Sequence, residues 1–123
     1  MKHLRVDNLT HPLPSPLIVT PCSDFFCRLV GLMGRAALPR DGGLLFRWPR
    51  PSRSGAAIHM LLMRFPIAAV WLDEHQRVVD ARLARPWRDF LAPRRAAQFL
   101  LEIHPDRLDE FALGDQISWH ETD

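Results

Sequence analysis

The sequence predicts a mostly β (α+β) fold with one main helix over about residues 23–34 and a short second helix over about 106–112. Three observations carry this. Apolar runs are short and separated by Pro, Gly and Asp, as strands are. The stretch with sustained helical spacing is Phe25, Phe26, Leu29, Val30, Met33. Turn chemistry recurs, at Asp41-Gly42-Gly43 and again over 73–76.

In chain order, a short segment at Leu4–Val6 precedes "HPLPSP", whose prolines exclude helix and supply few backbone donors. Residues 1–16 therefore read as a proline-rich lead into a single domain spanning 1–123, a length that suits one hydrophobic core. Leu17–Thr20 reads as a strand. Ser23 then offers an N-cap and Asp24 a carboxylate for the positive helix end, with Gly31 and Gly34 closing the helix. Leu44–Trp48 reads as a strand stopped by Pro49 and Pro51, and Pro66 divides the longest apolar run into strands 57–63 and 67–72.

Residues 73–76 form a hairpin turn into the returning strand 77–83. The run 84–94 reads as loop. "AAQFLLEI" at 96–103 fits strand or helix equally, and 114–120 closes the chain as a strand. The expected core is Phe25, Leu29, Met33, Leu45, Phe46, Met60, Leu62, Val70, Leu72, Leu100 and Phe111.

Composition narrows the function classes. With 47% hydrophobic and 24% charged residues the chain is globular, and a net charge of +2 argues against a nucleic-acid partner. Arginine is unevenly placed: Arg35, Arg40, Arg47, Arg50 and Arg53 stand against Asp41 alone between Gly34 and Ser54. Cys22 and Cys27 lack C-x-x-C spacing, and a helix starting at Ser23 sets them awkwardly for pairing, so two free thiols are expected. No apolar run reaches membrane-span length and the N-terminus lacks a signal-peptide core, which makes the cytoplasm the expected compartment and no membrane contact the expectation.

The spacing of residues after Gly31 resembles a known family. Gly31, Leu32, Met33, Arg35, Leu38 and Pro39, then Gly43, Leu45 and Phe46, then Pro66, Leu72 and Asp73, then Leu101-Glu102 and Gly114-Asp115 match the motifs of the domain of unknown function 192 family, found in bacteria and archaea. Gly34 stands where the family has an aromatic. The resemblance covers nearly the whole chain after residue 17 and implies a compact, barrel-like β domain with a helix on one side, in a bacterial protein. It carries no established reaction.

The departure falls in "IHMLLMRFPIAAVWLDE". The family's Phe-Trp-Met-Lys-Asn-Thr and Pro-Leu-Asp are replaced by Ile58, His59, Met60, Leu61, Leu62, Met63 and by Ile67 and Ala68, so the shared polar positions are lost and the chain resembles a divergent member. His59 and Arg64 then mark the remnant of a site. On strand alternation His59 shares the less buried face, with no carboxylate or nucleophile spaced to orient it.

The remaining chemistry is sparse. Six scattered histidines lack ligand spacing, so no metal and no cofactor is expected, and no serine sits in a nucleophile elbow. Asp80, Asp89 and Glu102 could converge in space. Trp48 between Arg47 and Arg50, and Trp87 between Arg85 and Arg88, have the composition of interface hot spots. The reading favours a non-enzymatic binding or accessory module with a protein partner. Its candidate contacts are His59, Arg64, Arg35, Arg47, Trp48, Arg50 and Trp87. A small apolar ligand or an enzyme pocket near His59 and Arg64 is the alternative, and an anion or single-stranded nucleic-acid surface is the third reading.

Overall fold

The computed structural model describes residues 3–22, 38–60 and 63–122. The helix expected over 23–34, Cys27, Arg35 and the core positions Phe25, Leu29, Met33 and Leu62 lie outside the described residues. The strands are β1 (Leu4–Asn8), β2 (Ile18–Cys22), β3 (Gly43–Ser52), β4 (Ile58–His59), β5 (Ile67–Leu72), β6 (Val78–Ala84), β7 (Phe90–Leu91), β8 (Ala97–Ile103) and β9 (Ile117–Glu121), with a 3₁₀ helix at Pro105–Glu110.

Seven strands form one sheet in the order β6-β5-β8-β3-β2-β1-β9, and β4 pairs with β7 separately. Only the β2–β3 pair is parallel among these. The sheet curls into a half-barrel until its two edges meet: Arg77 bridges Gln116, Ile117 N–H donates to Gln76 O at 2.9 Å, and Gly114 N–H donates to Val78 O at 2.8 Å.

Strand alternation sorts the core onto two faces. Inside the curl lie Leu4, Val6, Val19, Leu45, Val70, Leu72, Phe99, Leu101, Ile103 and Ile117, drawn from both ends of the strand order. Leu44, Phe46, Ile67, Ala69, Trp71 and Leu100 point to the outer face, beneath a layer holding Leu38, Ala56, Ile58, Met60 and Met63. Every residue of β5 is buried, which is why its sequence is continuously apolar rather than alternating. The expected core residues that are described, Leu45, Phe46, Met60, Val70, Leu72, Leu100 and Phe111, are all buried.

Several elements differ from expectation. Strand β3 continues past Pro49 and Pro51 to Ser52. Its register against β8 shifts between Arg47 and Ser52, so the prolines occupy an irregular stretch where missing donors break no ladder bond. Among the described residues of the strand expected at 57–63, Ile58–His59 form sheet, and β7 pairs with them from within the run read as loop. Residues 97–103 are strand. The second helix is a 3₁₀ turn ending at Glu110: Pro105 opens it, and the His104 ring accepts from Asp106 N–H at 3.1 Å.

Cys22 also departs from expectation. It is the last residue of β2, 1% exposed, and is disulfide-bonded rather than a free thiol. The spacing argument placed it ahead of a helical first turn, whereas its backbone is extended strand beside Phe46; its partner lies outside the described residues.

Gly43 has a specific cause. A Cβ there would stand 2.5 Å from the Glu102 carbonyl oxygen, so the close β3–β8 approach needs glycine.

Candidate interaction face and buried polar sites

The loop joining β6 to β7 is built by local charge and anchored by β4. Arg85 donates from its backbone N–H to Asp89 Oδ2 at 2.8 Å and from Nε and Nη2 to the same carboxylate at 3.1 Å. These bonds hold the Asp89 carboxyl below the usual range. Trp87 N–H donates to Met60 O at 2.8 Å, and Met60 N–H donates to Asp89 O at 3.1 Å.

The clamp leaves Trp87 in left-handed backbone, φ 62°, with its side chain outward: Trp87 is 60% exposed and Phe90 74%, with Leu83 at 44%. Positive φ is costly for a bulky residue, and here the Trp87–Met60 hydrogen bond and the Arg85–Asp89 clamp hold it. Arg88, next to Trp87, is exposed, and so is Arg64, four residues after Met60.

The other expected contacts are dispersed. His59 is half-buried, paired with Phe90, and its buried Nδ1 has no hydrogen-bond partner among the described residues. No hydrogen bond or ion pair among the described residues joins it to Arg64. Trp48 stacks on Phe46 at 6.1 Å and 18°, half-buried against the outer core, and its carbonyl accepts from Gln98 Nε2 at 3.1 Å. It is therefore largely spent on packing. Arg50 is exposed, and Arg47 lines a cavity of about 390 Å³ with Leu4, Leu45, Phe99 and Trp119.

The three carboxylates named as a potential cluster occupy separate settings. Asp80 is 3.0 Å from Arg82 Nη2 and accepts from Arg94 N–H at 3.1 Å. Asp89 belongs to Arg85. Glu102, 8% exposed, lies across from Leu44 and Ala69 with no hydrogen bond to its side chain among the described residues, and burial pushes its pKa up to about 8. Arg82 sits 5.2 Å over the Trp71 ring, and its buried Nε has no hydrogen-bond partner among the described residues.

Two polar clusters gave no sequence signal because their members are about a hundred residues apart. Asp115, 2% exposed, accepts from Asn8 Nδ2 at 2.8 Å and Ala112 N–H at 3.0 Å, and its other oxygen is 2.8 Å from His11 Nδ1. Burial opposes its ionisation, but these hydrogen bonds outweigh it and the pKa is lowered. Arg107, fully buried, donates to the Ser15, Pro16 and Arg40 carbonyls at 2.7, 2.8 and 3.2 Å.

The fold is thus a curled β domain with apolar cores on both sheet faces, an exposed aromatic–arginine loop and buried polar staples. Residues 15–119 match the domain of unknown function 192, described as an uncharacterised ACR, and the chain belongs to that family. It is 40% identical over 82 residues to a UPF0127 protein of Thermococcus kodakarensis, covering 65% of this chain and 52% of that one. A UPF0127 protein of Pyrococcus furiosus is 33% identical over 99 residues, 79% of this chain and 82% of that one. The chain spans about half to three fifths of the length of the Thermococcus relatives it matches. These relatives are archaeal, which corrects the expectation of a bacterial protein.

Among solved structures, a Sinorhizobium meliloti protein provisionally named a transcription regulator superposes with TM-score 0.79 at 18% identity, over 96% of this chain and 92% of that one. A Novosphingobium aromaticivorans protein of unknown function gives 0.78 at 19%, over 95% and 84%. At such identity these establish the fold alone. No helix among the described residues is long and apolar enough to cross a membrane.

Proposed function

We propose that the chain is a non-catalytic binding module that engages a protein partner through the 83–90 loop. One observation carries this reading: Trp87, held at φ 62° and 60% exposed, stands beside the 74%-exposed Phe90. A strained, solvent-facing Trp87 next to Arg88, with a second exposed aromatic at Phe90, has the chemistry of an interface anchor, in which Trp and Arg dominate binding energy. The test places a photo-crosslinking residue at position 90 in cells. A discrete protein adduct, absent when the same group replaces exposed His120, is expected; equal labelling from both positions would count against the face.

A second reading has its own support. The 390 Å³ cavity walled by Leu4, Leu45 and the edge-to-face pair Phe99–Trp119, with centroids 4.9 Å apart, and rimmed by Arg47, Gln76 and Glu121, is within the size range of small-ligand sites and suits an amphipathic molecule. A fragment screen by thermal shift on wild type and Trp119→Ala tests it: stabilisation lost in the variant favours the cavity.

The proposed compartment is the cytoplasm, and Cys22 supplies the test. Rapid alkylation on lysis that modifies Cys22 fits a reducing compartment, whereas a disulfide that resists it fits an oxidising one.

A further inference from the structure

A cavity of about 420 Å³ opens where the two edges of the curled sheet meet, lined by Asp73, Arg77, Val79, Arg94, Arg95 and Leu113, among others. Hydrogen bonds of the seam fix its walls. Gly114, in left-handed backbone at φ 86°, donates its N–H to Val78 O at 2.8 Å, and its carbonyl accepts from Arg77 Nη1 at 3.2 Å. Asp73 Oδ1 accepts from the His75 and Arg77 backbone N–H groups at 2.8 and 3.0 Å, and Arg94 N–H donates to the buried Asp80 carboxylate at 3.1 Å. The arginines therefore stand on backbone that is already held in place, which lowers the ordering cost of binding.

Charge at this cavity is unbalanced. Asp73 is the single carboxylate among the described lining residues. Asp80 lies closer to Arg82, at 3.0 Å, than to Arg94, at 3.8 Å. Arg95 is exposed, as Arg77 and Arg94 are, and its side chain makes no hydrogen bond or ion pair among the described residues. Three guanidiniums against one carboxylate leave a surplus of two positive charges in one concavity, and these repel one another until an anion enters. Leu113, 62% exposed, and half-buried Val79 add apolar surface to the same lining.

We propose that this cavity binds a phosphate monoester carrying a short apolar group. Guanidinium forks donate paired N–H groups to phosphate oxygens, and a monoester of about −1.5 to −2 charge near neutral pH matches the surplus, whereas a carboxylate leaves part of it unmatched. The apolar group covers Leu113 and takes it out of water. The volume falls within the range of sites for free small molecules. No lining residue belongs to the 83–90 loop, so the two sites stand or fall separately. None of Arg77, Arg94 and Arg95 is among the contacts expected from the sequence, because they and Leu113 converge only when the sheet edges close.

The experiment is isothermal titration calorimetry of the full chain with octyl phosphate below its micelle concentration. One-to-one binding that weakens with added salt is expected, with octanoate and inorganic phosphate each at least about tenfold weaker. Arg95→Gln and Leu113→Ser change exposed side chains, so each should keep the wild-type melting temperature and weaken octyl phosphate at least about tenfold. Arg5→Gln, exposed on β1 and outside the lining, should leave the affinity unchanged. No binding of octyl phosphate, equal binding of octanoate or of inorganic phosphate, wild-type affinity in Arg95→Gln or Leu113→Ser, or an equal loss in Arg5→Gln would each overturn the proposal.

A second measurement needs no variant. The Arg77 and Arg95 Nε–H signals and the Leu113 methyl signals should shift together in NMR spectra as octyl phosphate is added to wild type, and shifts confined to other residues overturn the site. Pelleting with phosphatidic acid–phosphatidylcholine vesicles, but not with phosphatidylcholine alone, in a protein that ignores octyl phosphate would make the ligand a membrane surface and overturn the assignment to a free small molecule.

Discussion

Arg107 Nε and Glu110 Oε1 are 2.9 Å apart while the arginine side chain has no solvent exposure. The guanidinium also satisfies the carbonyls of Ser15, Pro16 and Arg40, so it ties the proline-rich segment and the chain before β3 to the 3₁₀ helix. Arg107→Met should cost about 3–5 kcal/mol, because one partner is removed from a buried pair and three acceptors are stranded. Arg107→Lys should recover little, since an ammonium cannot span that fork. Urea denaturation measures both; a loss below about 1 kcal/mol would contradict the assignment.

Glu102 should make stability fall as pH rises. Its pKa is about 8 when folded against an ordinary value of 4.5, so the folded state keeps a proton that the unfolded state releases. Stability therefore declines between those two values and levels off above the upper one, by at most about 1.4 kcal/mol per pH unit. Glu102→Gln should flatten this slope and be the more stable form at the alkaline end. Parallel curves for the two proteins would refute the buried-acid reading.

Asp115 acts with the opposite sign. Its folded pKa is lowered, so its contribution is present above the unfolded value and is lost as pH falls through the folded one. Asp115→Asn should remove that acid-limb loss. Asp115→Ala should cost about 1–3 kcal/mol by stranding the Asn8 amide and the Ala112 N–H. Melting curves from neutral to acid pH distinguish these outcomes from an uncoupled surface carboxylate.

Gly43→Ala should destabilise by about 1–3 kcal/mol, because the added Cβ meets a backbone oxygen at 2.5 Å and the β3–β8 pair must separate. An unchanged melting temperature would show that the strands accommodate it.

Much of the fold was legible because period and punctuation determine it locally. The alternation at 77–83, the turn at 73–76 and the apolar run at 67–72 each depend on neighbours a few residues away, and each is found where expected. Proline misled at β3, since its meaning depends on whether the ladder is regular there, and that is set by β8. Family motif positions acquired physical causes: Gly43 permits a close backbone approach, and Asp115 collects donors from both ends of the chain. The clusters around Arg107 and Asp115 were invisible because convergence across ninety to more than a hundred residues leaves no spacing to read. For the candidate face, composition identified Trp87 and Trp48 alike, yet only structure separates them: stacking on Phe46 consumes Trp48, while the Arg85–Asp89 clamp turns Trp87 outward.

The central claim is that Trp87 is retained for contact rather than for stability, and Trp87→Gly tests it most directly. Glycine occupies φ 62° without strain. The melting temperature should stay level or rise, while affinity for whichever protein crosslinks at position 90 should fall at least about tenfold, as for a hot-spot residue. A variant that melts lower yet binds the same partner with unchanged affinity would contradict the claim.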